Sequence, residues 1–369
     1  MPTLRLFLAG DVMTGRGIDQ VLRHPSDPML LEAFVRDARM YVELAEQVSG
    51  RIPRRVAPRY IWGEALEELA RERPDVGIVN LETSVTTSDA FWPSKGIHYR
   101  MHPANIDCLT VVPIHCCVLA NNHVLDFGRD GLSETLQVLR KAGLGTAGAG
   151  ENAERAAAPC DIDVPRKGRV RVYAIGFETS GIPFEWAARE DLSGVNLMSV
   201  PTADAGTRVG CAMRNARSPG DIVVASLHWG GNWGFAIPEG ERAFAHALID
   251  SGGADIVHGH SSHHPKAIEI HRDKPILYGC GDLITDYEGI EGHEAYRPDL
   301  SPMYFVDVDA ETGRLAALAI VPMRLFRFSL RRAALSDVEW LIDLLNRDGR
   351  ALGAYAEAAA GGRISVRAA

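Results

Sequence analysis

The chain has no basic excess. Its 39 lysines and arginines are outnumbered by 48 acidic residues, giving a formal net charge of −9 over 369 residues. A surface built to neutralise phosphates needs the opposite balance, so no nucleic-acid partner is expected. Long hydrophobic runs are also missing: the opening TLRLFLAG is too short for a signal core or a membrane span and runs straight into Asp11. This predicts a cytoplasmic protein with no membrane insertion. Paired cysteines are missing too. Cys108, Cys116, Cys117, Cys160, Cys211 and Cys280 lie mostly in strand-like apolar runs, without the spacing of a zinc knuckle or a disulfide scaffold. They read as reduced packing residues.

The 46% hydrophobic content is enough for one large core or two smaller ones. Short apolar runs ending in polar or Gly-rich turns recur at 4–9, 76–79, 116–120, 170–175, 222–227 and 256–258. Helical periodicity fills several of the gaps, at 29–48, 63–73, 132–142 and 239–250. Alternation of this kind predicts an α/β protein with a largely parallel sheet covered on both faces. Later the strand signals close up, at 267–271, 275–278, 303–308 and 315–322, which suggests antiparallel pairing and a mixed or two-sheet sandwich. We read 1–330 as a single domain and 331–369 as a terminal helix and tail, packed on it or partly frayed.

Chemistry-bearing residues follow the ends of these strands, the edge at which open α/β sheets bind ligands. They are Asp11 in LAGDVM, Glu82 in VNLET, Asn122, His123 and Asp126 in LANNHVLD, His228 in ASLHWGG, and His260 and His263 in HGHSSHHP. Alone, Asp11 or Glu82 reads equally well as a helix cap or a solvated carboxylate. Their joint occurrence at five strand ends points to one site. By contrast, His115, His246, His258 and His271 lie inside strand or helix patterns and read as core or surface histidines; His264 stays open.

Two further segments bear on ligand binding. FWPSKGIHYRMHP carries Lys95, Tyr99 and Arg100, a set suited to receiving a carboxylate or phosphate, unless the segment is simply a pinned surface loop. HWGGNWGF offers Trp229 and Trp233 to a pocket, or packs as a turn. Asp282 and Asp286 either orient a histidine or cap a turn. GAGEN lacks the lysine of a phosphate loop, and no organic cofactor is expected.

The ordered motifs GDVMTGRG, NLETSVT, LANNHVLDFGRDGL, GAGEN, HWGGNW and GHSSHHPKAIE, spanning Gly10 to about Asp286, resemble the CapA-type proteins of capsule and poly-γ-glutamate synthesis, within the calcineurin-like metallophosphoesterase superfamily. The resemblance implies a four-layer sandwich of mixed β-sheets flanked by helices, with metal at the strand ends. Two departures stand out: Met13 replaces the histidine of the superfamily's opening Asp-x-His, and Asn80-Leu81-Glu82 replaces its second-motif aspartate. A thioether is a poor ligand for a hard cation, which argues against a two-metal hydrolytic clamp.

The expectation is therefore one divalent cation, Ca²⁺ favoured over Mg²⁺ or Mn²⁺, held by Asp11, Glu82, Asn122, His228, His260 and His263. Two imidazole–carboxylate pairs, His123 with Asp126 and His260 with Asp11, would then serve as acids and bases. Members of the resembled family look like peptide epimerases of the lasso-peptide type. The favoured expectation is thus a peptide epimerase inverting a Cα centre of a peptide or polyglutamate-like substrate. A metallophosphoesterase or related hydrolase, and a noncatalytic capsule-synthesis component that binds polyglutamate, are the other two readings.

Overall fold

A computed structural model describes residues 2–369. In chain order its main strands are β1 (Thr3–Val12), β2 (Val76–Leu81), β3 (Cys116–Val118), β4 (Gly145–Ala147), β5 (Gly168–Phe177), β6 (Asp221–His228), β7 (Ile256–His260), β8 (Ile268–His271), β9 (Lys274–Leu277), β10 (Asp282–Ile284), β11 (Leu300–Asp309), β12 (Leu315–Phe326), β13 (Ala354–Ala359) and β14 (Arg363–Ala368). One sheet runs β13-β14-β12-β11-β1-β2-β3-β4, with β10 also paired to β1; the other runs β5-β6-β7-β9-β8 after the short edge strand Leu197–Met198. Within them β1, β2 and β3 are mutually parallel, as are β5, β6 and β7, while the late strands β11, β12 and β14 pair antiparallel.

Side-chain alternation places the sheets face to face. Along β6, Ile222 and Val224 join the large core shared with Leu6 and Leu8 of β1, whereas Val223, Ala225 and Leu227 join a separate cluster with Phe244 and Leu248. Successive strand residues point to opposite faces, so one face of β6 meets the first sheet and the other meets helices. Those helices are α5 (Ala203–Ala216) and α6 (Glu239–Asp250), while α3 (Ala65–Glu72) and α4 (Gly128–Lys141) bring Leu69, Leu132 and Leu139 to the first sheet. The result is the four-layer mixed α/β sandwich of the calcineurin-like type.

The structure changes or adds to the sequence reading in three places. The helix expected over 29–48 shrinks to α2 (Arg39–Ser49); α1 is the short Arg16–Val21. Residues 28–38 instead close a loop through Leu30 N to Arg36 O and Ala38 N to Pro28 O, and Asp37 Oδ1 accepts from Arg39 N, so α2 starts only there. Helix α5 carried no readable apolar stripe because its buried positions are Ala205, Gly206, Gly210 and Met213. Gly206 and Gly210 allow close approach to α6, since a Cβ on Gly206 would stand 2.6 Å from Phe244 O. The C-terminal segment forms α7 (Leu335–Gly349) followed by the β13–β14 hairpin, which extends the first sheet through β12. Among the described residues no helix is long and apolar enough to cross a membrane.

Candidate metal centre at the strand ends

Parallel pairing brings the strand ends to one edge. Asp11 closes β1, Glu82 follows β2, Asn122 and His123 follow β3, and His228 and His260 end β6 and β7 in direct register. Asp282 opens β10 and pairs with Asp11, while Asp11 N donates to Gly281 O at 3.1 Å. Gly10 permits that approach: a Cβ there would lie 1.8 Å from Gly281 O. All of these side chains except the half-buried Asn122 are buried, and His123 and His263 are 6% and 5% exposed.

Hydrogen-bond partners assign the histidine tautomers. His258 Nε2–H donates to Ala9 O across the sheets (2.9 Å), leaving His258 Nδ1 to accept from Ser226 Oγ–H (3.1 Å). Ser226 Oγ in turn accepts from His260 Nε2–H (2.8 Å), so His260 Nδ1 is a bare lone pair. His228 Nε2–H donates to Asn122 Oδ1 (3.2 Å), which bares His228 Nδ1 as well. The two bare nitrogens face each other at 2.9 Å. Lone pairs at that distance repel, and a divalent cation between them would take both as ligands. Asp11, His228 and His260 form one possible ligand group, and Asp11, His263 and Asp282 a second.

The second group is already self-paired. His263 Nδ1–H donates to Asp282 Oδ1 (2.9 Å) and His263 Nε2 accepts from Tyr287 (3.3 Å). Buried Asp11 Oδ2 and Asp282 Oδ2 have no hydrogen-bond partner, an arrangement that disfavours the ionised form without a cation. A third grouping, His246, Glu269 and His271, lies apart, and Glu269 there already accepts from Arg242, His246 and Tyr278.

Electrostatics agree with the geometry. Burial, then repulsion from Asp282, pushes Asp11 up to about 7, and burial with Asp11 and Asp282 pushes Glu82 well above the usual carboxylate range. The Asn80 amide donates to both carboxylates, at 2.8 Å each, and Asn121 fixes its orientation. Burial holds His228 and His260 well below the ordinary imidazole value, keeping both neutral and able to ligate. The donor set of Asp11, His228 and His260 is richer in nitrogen than the all-oxygen shell that Ca²⁺ prefers.

The structure redistributes several other expected residues. His123 Nδ1 meets Asp126 Oδ2 at 2.7 Å, as the three-residue spacing suggested, and Lys95 Nζ joins the pair, 2.6 Å from Asp126 Oδ1. Burial and the Lys95 charge hold His123 at about 4 despite Asp126. Asn122 does not stand free as a metal ligand; its oxygen is taken by His228. His260 has no carboxylate within hydrogen-bond reach, Asp11 lying 3.9 Å away, and Ser226 occupies its other nitrogen. The expected His260–Asp11 pair thus lacks a direct hydrogen bond. Arg100 spends its donors on Ser88 O, Asp89 and Asp27 O beneath Phe127, so it is not an exposed anion receptor.

Tyr99 is buried with its ring edge against His123, and Trp229 is a core residue donating to Tyr278 O. Trp233, stacked on His293 at 3.8 Å and tilted over His263 at 5.4 Å, does border the site. His264 accepts from Gly234 N and donates to Pro265 O, which pins the Trp233 loop. Arg16, Ser226 and His258 were missed. The first is an arginine in a Gly-rich turn, and the other two sit inside an apolar strand, where sequence position alone favours packing.

Comparison with known proteins adds the biological context. Residues 5–287 match the family model described as Bacterial capsule synthesis protein PGA_cap. Proteins of two Mycobacterium tuberculosis strains, each described as a probable polyglutamine synthesis accessory protein, are 48% identical over 349 residues, covering 94% of this chain and 92% of theirs. A Bacillus subtilis protein described as PGA biosynthesis protein CapA is 27% identical over 293 residues, covering 78% of this chain and 71% of its own. These descriptions are of accessory and biosynthesis proteins, not of epimerases, and they overturn the isomerase expectation.

Proposed function

The chain belongs to the bacterial capsule synthesis protein family, and from that membership we propose that it is an accessory component of polyglutamate synthesis, holding a divalent cation among Asp11, Glu82, His228 and His260 and using it to bind the carboxylates of a polyglutamate-type chain. The observation that carries this reading is the pair of bare imidazole nitrogens beside the unpartnered oxygen of Asp11. Asp11, Glu82 and Asp282 would repel an acidic ligand by themselves, so recognition of a polyanion at this edge requires a cation. When bound, the cation supplies positive charge and coordination positions for ligand carboxylate oxygens.

The chain's own groups do the rest. His258 and Ser226 hold His260 with Nδ1 forward, and Asn122 does the same for His228. His123, neutral and tied to Asp126 through Nδ1, has Nε2 available to accept from a peptide N–H at the mouth. Titration calorimetry of a γ-linked glutamate pentamer against Mn²⁺-loaded and metal-free protein tests the reading. Binding is expected in the first case alone; equal affinity in both would remove the cation from recognition.

A further inference from the structure

We propose that Arg16 and Tyr41 form a second carboxylate-receiving position beside the metal centre, and that Glu32 of the 28–38 loop occupies it until a ligand carboxylate displaces it. This deepens the polyglutamate reading and rests on it. Arg16 is buried, with φ +46, a left-handed conformation that costs a non-glycine residue on the order of 1–3 kcal/mol and persists only where surrounding contacts hold it. Its Nε and one terminal nitrogen grip Asp286 in a bidentate pair at 3.0 and 2.6 Å, and Gly17 N also donates to Asp286. The guanidinium charge is thereby matched. Its remaining nitrogen donates to Glu32 Oε1 at 3.1 Å and to Tyr41 OH at 3.0 Å, while Tyr41 OH donates to Glu32 Oε2. Glu32 is thus a surplus carboxylate.

The loop that delivers it is built the wrong way round for a static surface segment. Glu32 is 6% exposed, whereas Leu31 and Phe34 beside it are 45% and 96% exposed. Its anchor is a satellite cluster of Leu30, Ala38 and Tyr41, separate from the main core. The position adjoins the metal centre through one aromatic layer. The guanidinium lies 4.3 Å from the Tyr99 ring centre, that ring meets His123 edge-on at 4.6 Å, and Tyr99 OH stands 3.5 Å from Tyr287 OH, itself 3.3 Å from His263 Nε2. A γ-linked glutamate chain carries a free carboxylate on every residue. With one at the cation, a neighbour can take over the Arg16 and Tyr41 contacts of Glu32, exchanging one carboxylate for another with no change in buried charge.

Glu32→Gln keeps the shape and removes the competing charge. The fraction of chains with the position open then rises, and apparent affinity rises with it. For the Mn²⁺-loaded protein, calorimetry with the γ-linked glutamate pentamer is expected to give a Kd at least tenfold lower in Glu32→Gln than in wild type, with Glu32→Ala behaving alike. Acetate, which has a single carboxylate, should bind both proteins equally. Adding Tyr41→Phe to Glu32→Gln should return part of the gain, an effect that simple loosening of the loop would not produce. Pentamer binding by wild type that is unchanged or weakened in both Glu32 variants overturns the proposal. Absence of binding in wild type and both variants overturns the polyglutamate reading itself, and this proposal with it.

Discussion

Ser226 Oγ lies 2.8 Å from His260 Nε2, close enough to decide which ring nitrogen of His260 carries the proton. The decision begins in the other sheet, at Ala9 O, and passes through His258 before it reaches Ser226. A backbone carbonyl has no proton to give, so the order of donors runs one way and leaves His260 Nδ1 unprotonated at the strand end.

Ser226→Ala breaks that order while leaving every proposed ligand in place. Loss of a group that orients a ligating histidine typically costs 10-fold to 100-fold in metal affinity, and a drop of this size in Mn²⁺ binding is expected by calorimetry. Unchanged affinity would show that the tautomer is set elsewhere.

Cation binding should depend on pH through Asp11. Its proton, held to about 7 by burial and by Asp282, must leave before the carboxylate ligates, so Mn²⁺ affinity is expected to rise as pH increases toward 7 and to level off above it. At least one proton should be released per ion bound near pH 6, since Glu82 is held protonated by the same burial and charges, as calorimetry in buffers of different ionisation enthalpy would count. An affinity flat from pH 5.5 to 8 would contradict this.

The same shift has an opposite consequence for the metal-free fold. A carboxyl whose folded pKa lies above its unfolded value near 3.9 stabilises fully below that value, and the contribution is lost as pH rises through about 7. The metal-free Tm is therefore expected to fall by a few degrees across that window, and the Asp11 part of the fall to vanish in Asp11→Asn. That variant should also lose Mn²⁺ binding. A metal-free Asp11→Asn protein less stable than wild type at pH 8 would count against the like-charge account.

Arg100→Ala should act on stability. Its guanidinium satisfies Ser88 O and Asp27 O, and removing it leaves partly buried acceptors unpaired at a cost of about 1–3 kcal/mol in denaturant unfolding. Pentamer affinity of the folded variant is expected to match wild type; a tenfold loss would restore Arg100 to ligand binding.

The strand-end residues were legible because parallel strands put successive C-terminal ends on one edge, and Asp11, Glu82, His123, His228, His260 and His263 all reach it. What each residue does there depends on partners that no spacing reveals. His258 and Ser226 lie within buried strands, yet they set the tautomer of His260. Arg100 and Trp229 read equally as ligand binders or as packed loop residues, and both turn inward, where their polar atoms find backbone carbonyls. The segment over 29–48 had helical periodicity, yet its first part closes on itself as a loop and Glu32 in it pairs with Arg16, which comes from elsewhere in the chain. Helix α5 escaped notice because a stripe of alanine and glycine carries almost no hydrophobic signal.

The most direct test is the distance between ligand and cation. A γ-linked glutamate pentamer labelled with ¹³C at its free α-carboxylates, mixed with Mn²⁺-loaded protein, is expected to show strong paramagnetic relaxation of one or more carboxylate carbons, an effect absent from the His228→Ala/His260→Ala double variant. Saturable pentamer binding with carboxylate relaxation no greater than in that variant would place the ligand away from the metal centre and contradict the account.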